Sequence, residues 1–188
     1  MFKLLVILGL VLGANATSIN VQSGEIKAHT EVFGDSEINP TTKNVKTELT
    51  IEDSIESIKG KIYFETLSLI SEKKDRDEHM YTLLNAEKFK TISFDVKSIT
   101  KTSEAYEIKG ALTLNGITKN IKAKINIIEQ NNKITLNGGF SFNLTDFSME
   151  PPKMLFLTVR NQIDISYNIS LEKVFKWPFL IYKLLKYL

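Results

Sequence analysis

Asn120-Ile121-Lys122-Ala123-Lys124-Ile125-Asn126-Ile127 alternates a polar with an apolar side chain at every step. Side chains on a β-strand point to opposite faces with a period of two. Ile121, Ala123, Ile125 and Ile127 therefore share a face turned to an apolar interior, and Asn120, Lys122, Lys124 and Asn126 share the face turned to water. Just upstream, Tyr106, Ile108, Leu112 and Leu114 occupy the even positions of a second such segment. Asn115-Gly116 joins the two, and both central residues of a two-residue hairpin turn prefer a positive φ. Downstream, Asn131-Asn132 makes the next turn, and Ile134, Leu136, Phe140 and Phe142 belong to the following strand. Gly138-Gly139 inside that strand predicts a bulge or a sharp bend.

The same alternation runs outward in both directions. Ile26, Ala28, Thr30 and Val32 share one parity, as do Val45, Thr47, Leu49 and Ile51, then Ile58, Gly60, Ile62 and Phe64, then Ile92, Phe94 and Val96. Val159, Ile163, Ile165, Tyr167, Ile169 and Leu171 mark the last strand. The period changes once. Met80, Leu83 and Leu84 fall at helical spacing, and Asp75 followed by Glu78 resembles a capping box, which predicts a short helix at about 75–84 lying across one end of the sheet. The fold class is all-β: an eight-stranded antiparallel up-and-down barrel with one short helix. Such a barrel is just wide enough inside to be packed with side chains or to hold one small ligand.

The chain has 188 residues, no cysteine, 24% charged residues and a formal charge of +2. That charge is too small for nucleic-acid binding by bulk attraction. Lys3, the apolar run Leu4 to Leu12 and the small residues Ala14-Asn15-Ala16 have the layout of a secretory signal peptide, with cleavage expected after Ala16. Removing residues 1–16 takes away one lysine and lowers the formal charge to +1. A barrel domain over 17–173 and a tail over 174–188 follow, with a periplasmic location. Without cysteine, stability must come from the core and from sheet closure.

Catalytic signals are sparse. His29 lies on the expected outer face of a strand and His79 on the helix, with no third ligand at metal spacing. Asp75, Asp77 and Glu78 suit the positive end of a helix dipole better than paired acid–base work. There is no Gly-rich phosphate loop and no nucleophile elbow, so no catalysis is expected. The candidate ligand-binding set is the inward one: Phe64, Phe94, Leu112, Ile125, Ile127, Phe140, Phe142, Ile163, Ile165 and Tyr167. These residues either fill the barrel or line a hollow, because pattern does not measure volume.

Three segments resemble the YceI-like family of exported, lipocalin-like barrels that bind polyisoprenoids or other long amphiphilic lipids. They are Ile55-Glu56-Ser57-Ile58-Lys59-Gly60; Arg76-Asp77-Glu78-His79-Met80 running on through Leu84 to Phe89, Ile92 and Phe94; and Gly110-Ala111-Leu112-Thr113-Leu114-Asn115-Gly116-Ile117-Thr118-Lys119. The last matches the family's G-x-L-T-x-x-G-x-T-K hairpin. The family's Arg-x-Asp-Phe-Gly stretch reads Leu144-Thr145-Asp146-Phe147-Ser148 here, which marks a divergent member. The resemblance implies a cavity, an isoprenoid or other long-chain lipid as ligand, and no further cofactor. A packed structural barrel docking on an envelope partner or on itself is the alternative.

The tail carries aromatic and basic residues together. On a helix, Trp177, Leu180, Ile181, Leu184, Leu185 and Leu188 fall on one arc and Lys176, Lys183 and Lys186 opposite. Pro178 suits a first helical turn, and Phe179 lands among the lysines. Such a helix either lies in a membrane interface or packs on the barrel or on a second copy of the chain in a homodimer.

Overall fold

The computed structural model describes residues 16–32, 35–154 and 157–174. Eight strands form its barrel: β1 (Thr17–Val32), β2 (Lys46–Ile51), β3 (Lys59–Glu65), β4 (Thr91–Lys101), β5 (Tyr106–Leu114), β6 (Ile117–Gln130), β7 (Lys133–Asn143) and β8 (Gln162–Val174). Each pairs antiparallel with the next, and β8 closes the ring on β1 from Ser18 opposite Val174 to His29 opposite Asp164. Closure removes the open edges that would otherwise invite aggregation. Between β1 and β2, the short strands Asp35–Ile38 and Thr41–Thr42 fold back onto the far half of β1.

Helix α1 (Lys74–Leu83) follows β3 and lies over one end of the barrel, as its spacing predicts. Its start differs from the expected capping box. The N-cap is Lys73, with no side-chain cap. The helix entry is fixed instead by buried Asp77, whose Oδ1 accepts the Ser71 N–H at 2.8 Å. The Asn115-Gly116 turn forms as expected, with φ of 50° and 71°. Gly138-Gly139 makes no bulge: the β7–β8 register runs through both residues unbroken. The β6–β7 pairing stops there, however, with Ile125 opposite Gly138 as its last pair. The two strands part above that point, and the turn Leu144–Phe147 packs beside β6, with Phe147 fully buried.

The interior has two levels. At one end Ile19, Ile51, Ile58, Ile134 and Leu171 are almost completely buried in an aliphatic plug, covered by the single turn Ile55–Ser57. Toward the other end Phe64, Ile92, Leu112, Leu114, Leu144, Phe147 and Ile163 form a second cluster.

Ion pairs decorate the outside, where each contributes little. One site titrates usefully. Hydrogen bonds from Ser141, Gln162 and Arg160, in that order of weight, hold the Asp164 carboxyl at about 2 against an ordinary 3.8. A depressed carboxylate contributes stability above its ordinary value and loses it as pH falls toward the folded one. The Asp164 side chain keeps 36% of its surface exposed, so the stability at stake is about 1 kcal/mol or less after solvent screening. Asp164→Asn should therefore flatten the fall in urea midpoint between pH 4 and pH 2, relative to the unsubstituted chain.

Candidate functional site: an apolar hollow open at one end

Above the aliphatic plug the barrel is hollow. The cavity measures about 1250 Å³, and its walls come from every strand of the ring except β2. This follows from the parity of the strands, which turns one apolar side chain in two inward. Phe64, Phe94, Leu112, Ile125, Phe140, Phe142, Ile163, Ile165 and Tyr167 all lie on the wall. The Phe94 and Phe140 rings face each other with centroids 6.3 Å apart. Ile127 does not line the hollow: it is buried in the plug.

Several wall residues lie outside the inward set read from the strands. Met80 and Leu83 reach the wall from α1, and Leu84 from its C-cap. Leu69 and Met149 enter from loops, whose direction carries no period, and so does Val159, which was expected on the last strand but precedes it, because that strand begins only at Gln162. Ile26 and Ala28 share the parity of their strand and were legible as inward residues.

The open end carries the charged residues of the lining, beside apolar Val32, Ile38 and Leu157. Lys73, Lys74, Asp75, Arg76, His79, Glu150 and Lys153 ring it, with the buried Asp77 beside them. His29 also reaches this rim, where its Nδ1 meets Asn39 Oδ1 at 2.8 Å, rather than standing on a plain outer face. Among the described residues no group of three His, Cys, Asp or Glu could hold a metal ion.

α1 is latched over the mouth. The Tyr81 hydroxyl is shared between the Leu67 and Leu69 carbonyls at 3.1 and 2.9 Å. Asn85 donates to Asn115 Oδ1 at 2.7 Å, and Asn115 donates to the Phe147 carbonyl at 3.0 Å. The Asn115-Gly116 hairpin tip thus ties the helix exit to the Leu144–Phe147 turn. Two glycines leave room for rings: a Cβ on Gly110, within β5, would lie 2.3 Å from Phe94, and one on Gly116, at the tip, would lie 2.4 Å from Phe89.

The expected signal peptide lies almost wholly outside the described residues. So do Trp177, Leu180, Ile181, Leu184, Leu185 and Leu188 of the tail. The last described residue, Val174, pairs with Ser18 at the plugged end, away from the mouth.

A closed eight-stranded barrel with an apolar, one-ended hollow is the architecture of small barrels that enclose a single ligand. The chain belongs to the YceI-like family, whose domain model matches residues 14–171. A UPF0312 protein of Serratia proteamaculans is 34% identical over 76 residues, a match covering 39% of this chain and 40% of that relative, so the chain spans less than half of its length. Among solved structures, Burkholderia cenocepacia BcnA superposes with a TM-score of 0.69 at 12% identity, over 78% of this chain and 95% of that one. A polyisoprenoid binding domain from Saccharophagus degradans gives 0.60 at 9% identity, over 84% and 99%. The Campylobacter jejuni YceI protein gives 0.54 at 15% identity, over 94% and 92%. At these identities the structures speak to the fold.

Proposed function

We propose that this chain is an exported, non-catalytic binding protein that holds one long-chain amphiphilic lipid, isoprenoid or fatty-acid-like, in its barrel, for carriage or sequestration in the periplasm. The observation that carries this reading is the hollow itself. Its volume of about 1250 Å³ exceeds the roughly 300–1,000 Å³ of pockets that take drug-sized ligands, and its wall is apolar down to the plug. A hydrocarbon entering it gains about 0.8 kcal/mol per buried methylene, so ten methylenes supply about 8 kcal/mol before the cost of association. No catalytic group is needed for such binding. The neighbour described as a polyisoprenoid binding domain supports the isoprenoid class. Titrating delipidated protein with a fluorescent long-chain fatty acid tests the reading. Saturation at one probe per chain supports it, and absence of saturable binding removes it.

The tail belongs to the same proposal. It docks the protein on a membrane through the arc of Trp177, Leu180, Ile181, Leu184, Leu185 and Leu188. Because Val174 leaves at the plugged end, the tail tethers the barrel with its mouth roughly 40 Å of strand away. Truncation after Lys173 should abolish flotation with anionic liposomes while leaving probe binding intact. Unchanged flotation rejects the tether.

A further inference from the structure

Among the polar side chains at the inner part of the hollow, Tyr167 stands apart. It sits on β8 opposite Ile26 of β1 and Gly138 of β7, level with Ile125 just above the plug. It lies five residue steps from Gln162 at the strand's upper end, a depth of about 17 Å. Ile26, Phe94, Ala123, Ile125 and Ile169 share with it both the wall of the hollow and the cluster that forms the plug.

Its hydroxyl takes part in no hydrogen bond among the described residues. No fully buried side-chain oxygen or nitrogen in the described structure lacks a partner. The Tyr167 hydroxyl is therefore not sealed off, and Tyr167 is one of the residues that line the hollow. Burial pushes its phenol up to about 12, with no compensating partner. Three of the other four hydroxyl-bearing residues on the wall are engaged. Thr30 donates to the Arg160 carbonyl, Ser71 to the Lys73 carbonyl and Thr82 to the Glu78 carbonyl, all near the mouth. Ser93 has the outward parity between Ile92 and Phe94.

The fold also keeps room for this hydroxyl. Gly138 lies across from it, and a Cβ there would stand 2.8 Å from the Tyr167 oxygen and 3.2 Å from the Lys124 carbonyl. A phenylalanine would fill the same wall without an unpaired polar atom, which costs about 1–3 kcal/mol when it is buried unmet. A tyrosine hydroxyl at the bottom of an apolar hollow normally finds a partner.

We propose that the partner is the cargo: the ligand is an oxygenated long-chain lipid whose hydroxyl, carbonyl or ether oxygen hydrogen-bonds Tyr167 at the inner end of the hollow. This rests on the carrier reading and adds an orientation to it. The oxygen lies deep, the chain extends toward α1, and Tyr167 discriminates oxygenated cargo from plain hydrocarbon of the same length.

Displacement of bound N-phenylnaphthylamine by hexadecanol and by hexadecane tests this on the full chain. The unsubstituted protein is expected to favour the alcohol, and Tyr167→Phe to reduce that preference by about fivefold, one hydrogen bond's worth, by weakening the alcohol alone. Gly138→Ala, which displaces the hydroxyl while keeping the tyrosine, should do the same. A preference unchanged in both variants overturns the proposal. If neither ligand displaces the dye from the unsubstituted protein, the carrier reading itself fails and this proposal falls with it.

Discussion

The Ala123→Trp protein is expected to bind a long-chain fluorescent lipid about 100-fold more weakly than the unsubstituted chain, and to unfold at no lower a temperature. Ala123 lies on β6 between Ile121 and Ile125, faces Ile108 of β5 across the ladder, and has its methyl group on the wall of the hollow. An indole there projects from the wall into the hollow, just above the plug that Ala123 packs against. It takes the place of three or four methylenes of cargo, a loss of about 3 kcal/mol, or roughly 100-fold. The same indole fills void, so stability holds or rises. Fluorescence titration gives the affinity and circular dichroism melting gives the midpoint. Unchanged affinity would mean that the lipid binds outside the barrel.

Gly60→Ala should be the most destabilising of the small substitutions, by about 4 kcal/mol, lowering the melting midpoint by roughly 10 °C. Gly60 sits in β3 with φ of +116°, a conformation that residues with a Cβ rarely adopt. The added carbon would lie 2.0 Å from the Glu48 carbonyl oxygen of β2, so the ladder between Leu49 and Gly60 must give way. Gly24→Ala is the control. Its φ is unremarkable and its nearest contact is the Val45 side chain at 3.1 Å, so a loss under about 1 kcal/mol is expected. Equal midpoints for the two variants would contradict the backbone argument.

The strands were legible because each buries one face only, so alternation survives along nearly all of them. Ring closure by β8 on β1 was legible as a strand count rather than as a pairing. The short strands Asp35–Ile38 and Thr41–Thr42 carry too few residues to show a period. Parity gives direction but not height. Ile127 has the same face as Ile125, yet two residues place it about 7 Å deeper, in the plug instead of the hollow. Gly138-Gly139 carried a real signal with a different cause: the glycines mark where β6 and β7 part, and one of them makes room for Tyr167. The capping box failed because Asp75 and Glu78 are exposed while the buried Asp77 does the anchoring. Ser148 takes φ of 53° where the family's stretch carries glycine, so the turn keeps its left-handed shape without the residue that favours it. Whether inward residues pack or leave room depends on summed volumes around a ring, which no single strand's pattern reports.

Native mass spectrometry of the protein purified from its own source, before and after organic extraction, tests the filled-by-cargo hollow most directly. One long-chain, oxygen-bearing lipid per chain, released by extraction and reloadable into the empty protein but far more weakly into the Ala123→Trp variant, is the predicted result. A mass equal to that of the bare polypeptide, with no lipid in the extract and none taken up on reloading, would contradict it.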